Sequence, residues 1–501
     1  MIKLRTRIDK KISLKAYLAI AFVCALFGQY LLEDKGVAKF LTAYLFTIFV
    51  SVLYARRPSY LWGGLQNESA KDYSERKRLV RRKVSKEDMT EEDIESSAAN
   101  LLETTNKKDS EPVRKRMHYL DNLKVFLTFL VVLNHTADAF GCCGNLSWMM
   151  VIGDYDNPFK FAIRKLMIFN QSYFMCLFFF ISGYFTASSY KRKGGHAFIQ
   201  GRITRLLVPA WVSLVFLNPL CFCIAQWTAN SDLVYFPSLG ATWFIYWLLF
   251  FEWIYILLVN DKEDTSGSTS SVPFLSTRKR WMWGLGLCGF AQFVVSRVLN
   301  ISYFYAMPIA SPGTLFSDIV LFTAGTVAGE YGWISHERTI TEQMDIAPWK
   351  LRVMVCLEGV VVMYLHFIRE SPVEHLAYFL AAGMLCVDIS VAYLQFFQEY
   401  VNQDWSYLAG GAYTVYLLHP LVIQICTSVF YKVYDVLYPE TIKFAPVVFG
   451  IFIPSSSHLS GPGDGTVHLW IGFFVVLSVS NAILWPLSYH LSKLPVLNRY
   501  L

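Results

Sequence analysis

The chain has 501 residues, of which 54% are hydrophobic and only 17% charged, with a formal net charge of +7. That charged fraction is well below the roughly 25% of an average soluble protein, and the apolar residues gather in windows of about 20, the length that crosses a hydrocarbon core. This composition excludes a soluble globular enzyme and a nucleic-acid-binding protein, and predicts an all-α polytopic membrane bundle of about ten core helices plus an N-terminal two-helix hairpin.

The hairpin comes first, with apolar windows at about 14–32 and 37–54 separated by Glu33, Asp34, Lys35 and Gly36. The basic flank of Lys3, Arg5, Arg7, Lys10 and Lys11 has the look of a secretory signal. No small-residue cleavage site follows and a second span begins at once, so residues 1–54 are read as a retained hairpin. Residues 55–117 then turn charged: a basic run from Ser74 to Lys83 precedes a mixed stretch rich in Glu, Asp, Ser and Lys. Such a segment cannot bury enough apolar surface to fold alone and is expected to be a cytosolic tether, its basic half suited to anionic lipid.

The main membrane domain is expected over 118–490, with a cytosolic tail at 491–501. Its predicted spans lie near 119–140, 166–187, 203–226, 241–260, 281–300, 314–332, 351–369, 376–396, 407–431 and 467–489. If each crosses once, the N-terminus, the tether, Lys191, Arg192, Lys193, Arg202, Arg205 and the Arg278–Arg280 cluster share one side, which the positive-inside rule makes the cytosol. The same count places Lys160 to Lys165 outside, so that piece is expected to be interfacial or re-entrant.

Of the ten cysteines, Cys142 and Cys143 fall in a predicted outer loop, and Cys221 and Cys223 near the outer end of a span. Their spacing assigns no disulfide. Two glycosylation triplets, at Asn145 and Asn300, fall on the same outer side. The sequence holds no CxxC, HExxH or P-loop pattern, so neither a metal nor a nucleotide-hydrolysing engine is expected.

The first core span carries the most chemistry. At about 100° per residue, Asp121, Lys124, Thr128, His135 and Asp138 share one face of a helix that is otherwise apolar. An ionisable side chain inside the bilayer costs about 2.5 kcal/mol or more, so such a stripe faces protein or water. An imidazole exchanges a proton near neutral pH, which suits His135 to activate a hydroxyl. Asp138, one turn on, and Asp121, about four turns back, are candidates to orient it; Glu252, Glu330, Glu358 and Asp388 offer carboxylates from other spans. Further along, Arg202 and Arg205 are three residues apart at the cytosolic end of a span. Two guanidiniums so placed can bind phosphate oxygens bidentately, and the same pair is also what positive-inside anchoring would leave.

Five motifs now stand in order: Tyr119-Leu120-Asp121 through Lys124 to His135; Phe180-Ile181-Ser182-Gly183-Tyr184; Arg202 and Arg205 before Pro209; Gly240-Ala241-Thr242-Trp243; and Ala412-Tyr413 through Tyr416 to His419-Pro420. Together they resemble the acyltransferase 3 family across roughly 118–490. The resemblance implies a multi-pass enzyme that moves an acyl group, acetyl or similarly short, from cytosolic acyl-CoA to a hydroxyl of a glycan, lipid or small molecule, with His135 as general base or transient acyl carrier. It implies acyl-CoA as co-substrate without a metal, Arg202 and Arg205 as donor-binding residues, and Lys124 where the family typically has arginine. Ala412 stands in place of a serine, while Tyr413, Tyr416 and His419 are kept.

Each of the later candidates has a plainer role beside it. His419 can satisfy a carbonyl freed by Pro420, Trp243 can anchor at an interface, and Glu330 can sit among headgroups at a helix end. A proton-coupled transporter is the competing function, since it too keeps intramembrane histidines and acids. Internal repeats, the usual mark of that class, are not apparent in this sequence.

Overall fold

The computed structural model describes residues 47–53, 116–140, 149–152, 158–259, 315–334, 346–438, 443–448, 451–452 and 466–500, short gaps within these runs aside, with isolated helical residues between 286 and 294. The expected hairpin, apart from a helical turn at 47–53, the tether, most of the 281–300 span, Cys142, Cys143, Asn145 and Asn300 lie outside the described residues.

Helices dominate, as the hydropathy requires: in hydrocarbon a backbone must satisfy its own polar groups. The elements in chain order are α1 (His118–Ala139), α2 (Pro158–Gln171), α3 (Phe174–Arg202), α4 (Val208–Val212), α5 (Asn218–Thr228), α6 (Trp243–Leu258), α7 (Leu315–Tyr331), α8 (Pro348–Ile368), α9 (Pro372–Tyr400), α10 (Ser406–Leu437) and α11 (Thr466–Lys493). Among the described residues six helical runs are long and apolar enough to cross a membrane. α1 falls short of that criterion on its polar residues, and α7 on its 17-residue length.

One run extends without a loop from Pro158 to Thr228. Gly194, at φ 72° and ψ 164°, breaks it into separate passes, a conformation open to glycine because it lacks a Cβ. π-helical turns at Ile203–Leu207 and Ser213–Leu217 interrupt the second pass. The expected span at 166–187 is in fact two helices, α2 and α3, parted at Ser172 and Tyr173. α2, which carries Lys160 to Lys165, has 14 residues, about 21 Å of helix and too short to span. Phe159, Ile163 and Met167 bury its inner face.

α3 packs against α7 by direct backbone approach. Gly183 meets the carbonyl of Phe322, Gly325 that of Phe180, and Gly329 that of Tyr184; a Cβ built on Gly329 would lie 2.6 Å from that last oxygen. Gly325 and Gly329 form a small-xxx-small pair, the membrane solution for close helix contact.

α1 and α10 start together and run parallel. The Asn122 amide donates to the carbonyls of Val401 and Gln403 at 2.7 and 2.8 Å, and the Tyr119 amide N–H donates to Asn402 Oδ1 at 3.1 Å. Because the two helices emerge at the same end, the chain beyond each pairs there: β1 (Met149–Ile152), β2 (Lys443–Val448) and β3 (Ile451–Phe452) form an antiparallel sheet in that order, with Met150 opposite Ala445. Below it, Phe140, Phe159, Tyr434, Leu469 and Phe473 form an apolar cluster. Asn122→Ala leaves two carbonyls without their amide and is expected to lower stability by about 1–3 kcal/mol, read as a lower midpoint of thermal unfolding in detergent.

Candidate active site

His135 stands 17 residues beyond the start of α1, about 26 Å up its axis. Its Nδ1 is 3.4 Å from Asp138 Oδ2, and both side chains are nearly closed from solvent, 10% and 5% exposed. The i, i+3 spacing of one helix brings them together. The His135 ring stacks on that of His419 from α10, with centroids 4.9 Å apart and an interplanar angle of 28°.

His419 is itself held by its own helix. Pro420 lacks the N–H that would bond the carbonyl of Tyr416, and His419 Nδ1 takes that carbonyl at 2.6 Å. The Tyr416 hydroxyl donates to the carbonyl of Ala241 in the short 3-10 turn Gly240–Thr242, so the fourth and fifth motifs meet here. Phe244 stacks edge-on against Tyr416, with centroids 6.1 Å apart. Tyr413, one turn earlier on α10, is half-buried and parallel to Tyr416, and its buried hydroxyl has no partner among the described residues.

A second cluster lies where α3, α6 and the start of the following pass converge. Arg202 Nη2 is 2.7 Å from Oε1 of Glu252, whose side chain is fully buried within the otherwise apolar α6. Thr186 Oγ1 lies 2.8 Å from the same oxygen and 3.4 Å from Arg202 Nη2. The Arg202 guanidinium also covers the Phe198 ring at 4.5 Å. Arg205, by contrast, is exposed and lies within the π-helical turn that begins just after Arg202. Of the two arginines, Arg202 is held on the buried Glu252 and Arg205 lies at the surface.

Lys124 pairs with Asp121 at 2.7 Å, and its ammonium sits 4.4 Å from the Phe185 ring centroid. Phe185 and Thr186 are neighbours in α3, so Lys124 and Arg202 flank one turn of that helix. His135 stands eleven positions beyond Lys124 in α1, about 16 Å along the axis. Asp121 is about 21 Å from His135 by the same measure and answers Lys124 instead.

A family model of the acyltransferase domain, that of the acyltransferase 3 family, matches residues 117–485. The chain belongs to the acyltransferase 3 family. It is accordingly a multi-pass membrane acyltransferase, and the matched span takes in both clusters. No curated protein and no solved structure matches the chain.

Within this acyltransferase domain Glu330 and Trp243 make contacts of their own. Glu330 is exposed at the end of α7 and accepts the Tyr255 hydroxyl at 2.7 Å. Trp243, expected at an interface, is buried at the start of α6 against Phe244. Cys221 and Cys223 are both free thiols. Among the described residues no group of three His, Cys, Asp or Glu is placed to hold a metal ion. The carboxylate of Glu252, one of several acids weighed as a partner for His135, serves Arg202. Its signal in the sequence is a lone acid within Trp243–Leu258. Thr186 gave no signal at all.

Proposed function

We propose that this acyltransferase moves an acyl group, acetyl or similarly short, from acyl-CoA to a hydroxyl of a glycan, lipid or other acceptor, with His135 as the reacting base or carrier. The carrying observation is the His135–Asp138 contact inside the bundle. A neutral hydroxyl is a poor nucleophile, and an imidazole whose Nδ1 faces a carboxylate presents Nε2 as the basic atom. The same lone pair can attack the thioester carbonyl directly. Asp138 opposes the positive charge that either route places on the ring.

Arg202 and Lys124 supply cations for the donor's phosphates on the side that the lysine and arginine count makes cytosolic. The separation of about 16 Å between Lys124 and His135 along α1 suits a donor whose charged end and thioester are joined by a long flexible arm. Phosphate would compete with Glu252 for Arg202, and Glu252 keeps that guanidinium aimed inward. Arg205 at the surface can add charge without taking part in a fork.

Coenzyme A binding to the purified protein tests the donor assignment. Arg202→Ala is expected to weaken it by about tenfold to a hundredfold, the equivalent of roughly 1.4 to 2.7 kcal/mol, with Arg205→Ala costing less. Unchanged affinity in the Arg202 variant removes this arginine from the donor site.

A further inference from the structure

The geometry points to His419 as a second base of the transfer, its Nε2 taking the proton of the acceptor hydroxyl while His135 holds the acyl group; this rests on the reading of His135 given above. A backbone carbonyl only accepts hydrogen bonds, so the 2.6 Å contact with Tyr416 requires the hydrogen on His419 Nδ1. In the neutral ring Nε2 is then a bare lone pair. That atom is buried, has no hydrogen-bond partner among the described residues, and belongs to a ring stacked on His135. A histidine needed only to close the gap left by Pro420 uses one nitrogen. The other is costly to bury without a partner, and a hydroxyl arriving beside His135 would supply one.

Two basic nitrogens on adjoining rings permit a two-step exchange. In the first step His135 Nε2 attacks the thioester carbon, the carbon–sulfur bond breaks, and its electron pair leaves on the thiolate. The acyl-imidazolium keeps its Nδ1 hydrogen beside Asp138. In the second step the acceptor oxygen attacks that carbonyl carbon and its proton passes to His419 Nε2. The carbon–nitrogen bond to His135 breaks, returning its electron pair to Nε2. The proton then leaves His419 and balances the thiolate released earlier, so thioester and alcohol become ester and thiol.

His419→Asn separates the two nitrogens. The asparagine amide occupies the place of Nδ1 and keeps a donor for the Tyr416 carbonyl, while the Nε2 lone pair is gone. With acetyl-CoA, the purified variant is expected to release about one free thiol per protein and to form hydroxamate from hydroxylamine, a nucleophile that needs no base. In cells the same variant is expected to lose at least a hundredfold of the alkali-labile acetyl ester made by the wild type. Wild-type ester levels in His419→Asn overturn the proposal. So does loss of the thiol burst in a variant whose thermal unfolding matches the wild type. Should His419→Asn not fold, the wild type alone decides: absence of a thiol burst without acceptor removes the acyl-His135 step and the second base with it. Ester formation by His135→Ala would instead sink the underlying assignment of His135.

Discussion

His135→Ala is expected to reduce acyl transfer by about 10²- to 10⁴-fold, the span of a general base or nucleophile removed from its site. The measurement is the acyl ester content of glycans and lipids, by mass spectrometry, from cells making the variant or the wild type at equal membrane levels. Insertion is expected to survive, because α1 is fastened at its start by Asn122 and along its length by apolar contacts, none of which involves the imidazole. Asp138→Asn keeps the shape of the carboxylate and loses its charge 3.4 Å from the ring. It is expected to lower the rate less than His135→Ala. Full activity in His135→Ala would leave the stacked histidines as mere packing.

Gly325→Val is expected to have the largest effect on the fold. At this position α7 lies directly on α3: an added Cβ runs into the carbonyl of Phe180, with the Tyr184 amide nitrogen only 3.0 Å away. Neither is a flexible side-chain tip that can swing aside. Overpacking a tight site costs about 1–3 kcal/mol even where side chains can adjust, and here two helix backbones must separate. The variant is expected to lose its monodisperse peak in size-exclusion chromatography and to unfold at markedly lower temperature. Gly410→Ala, on an open stretch of α10 with nothing within 4 Å, is expected to leave both measurements unchanged. A Gly325→Val protein as stable as the wild type would refute this account of the α3–α7 contact.

What could be read in advance followed from local chemistry. Most of the described spans were legible because a backbone in hydrocarbon must be helical over a fixed length. The nearness of His135 and Asp138 follows from three residues of helix, and the expectation that His419 serves a carbonyl beside Pro420 holds for one of its nitrogens. Pairings between distant segments were not legible. Nothing local says that Glu252 answers Arg202, 50 positions earlier, or that residues after α1 form a sheet with residues after α10. Hydropathy also joined α2 to α3. Averaging over 20 residues hides a break of two.

The shared footing of α1 and α10 has a mechanical consequence. α1 is fastened at two heights, by the Asn122 amide to the 401–403 stretch that leads into α10 and by the imidazole stack on α10 some 20 Å above it. Two such fastenings resist the sliding or rocking of one helix past the other that an alternating-access carrier would ask of its central elements. With the frame braced in this way, the stacked imidazoles keep a fixed place on the wall that α1 and α10 form.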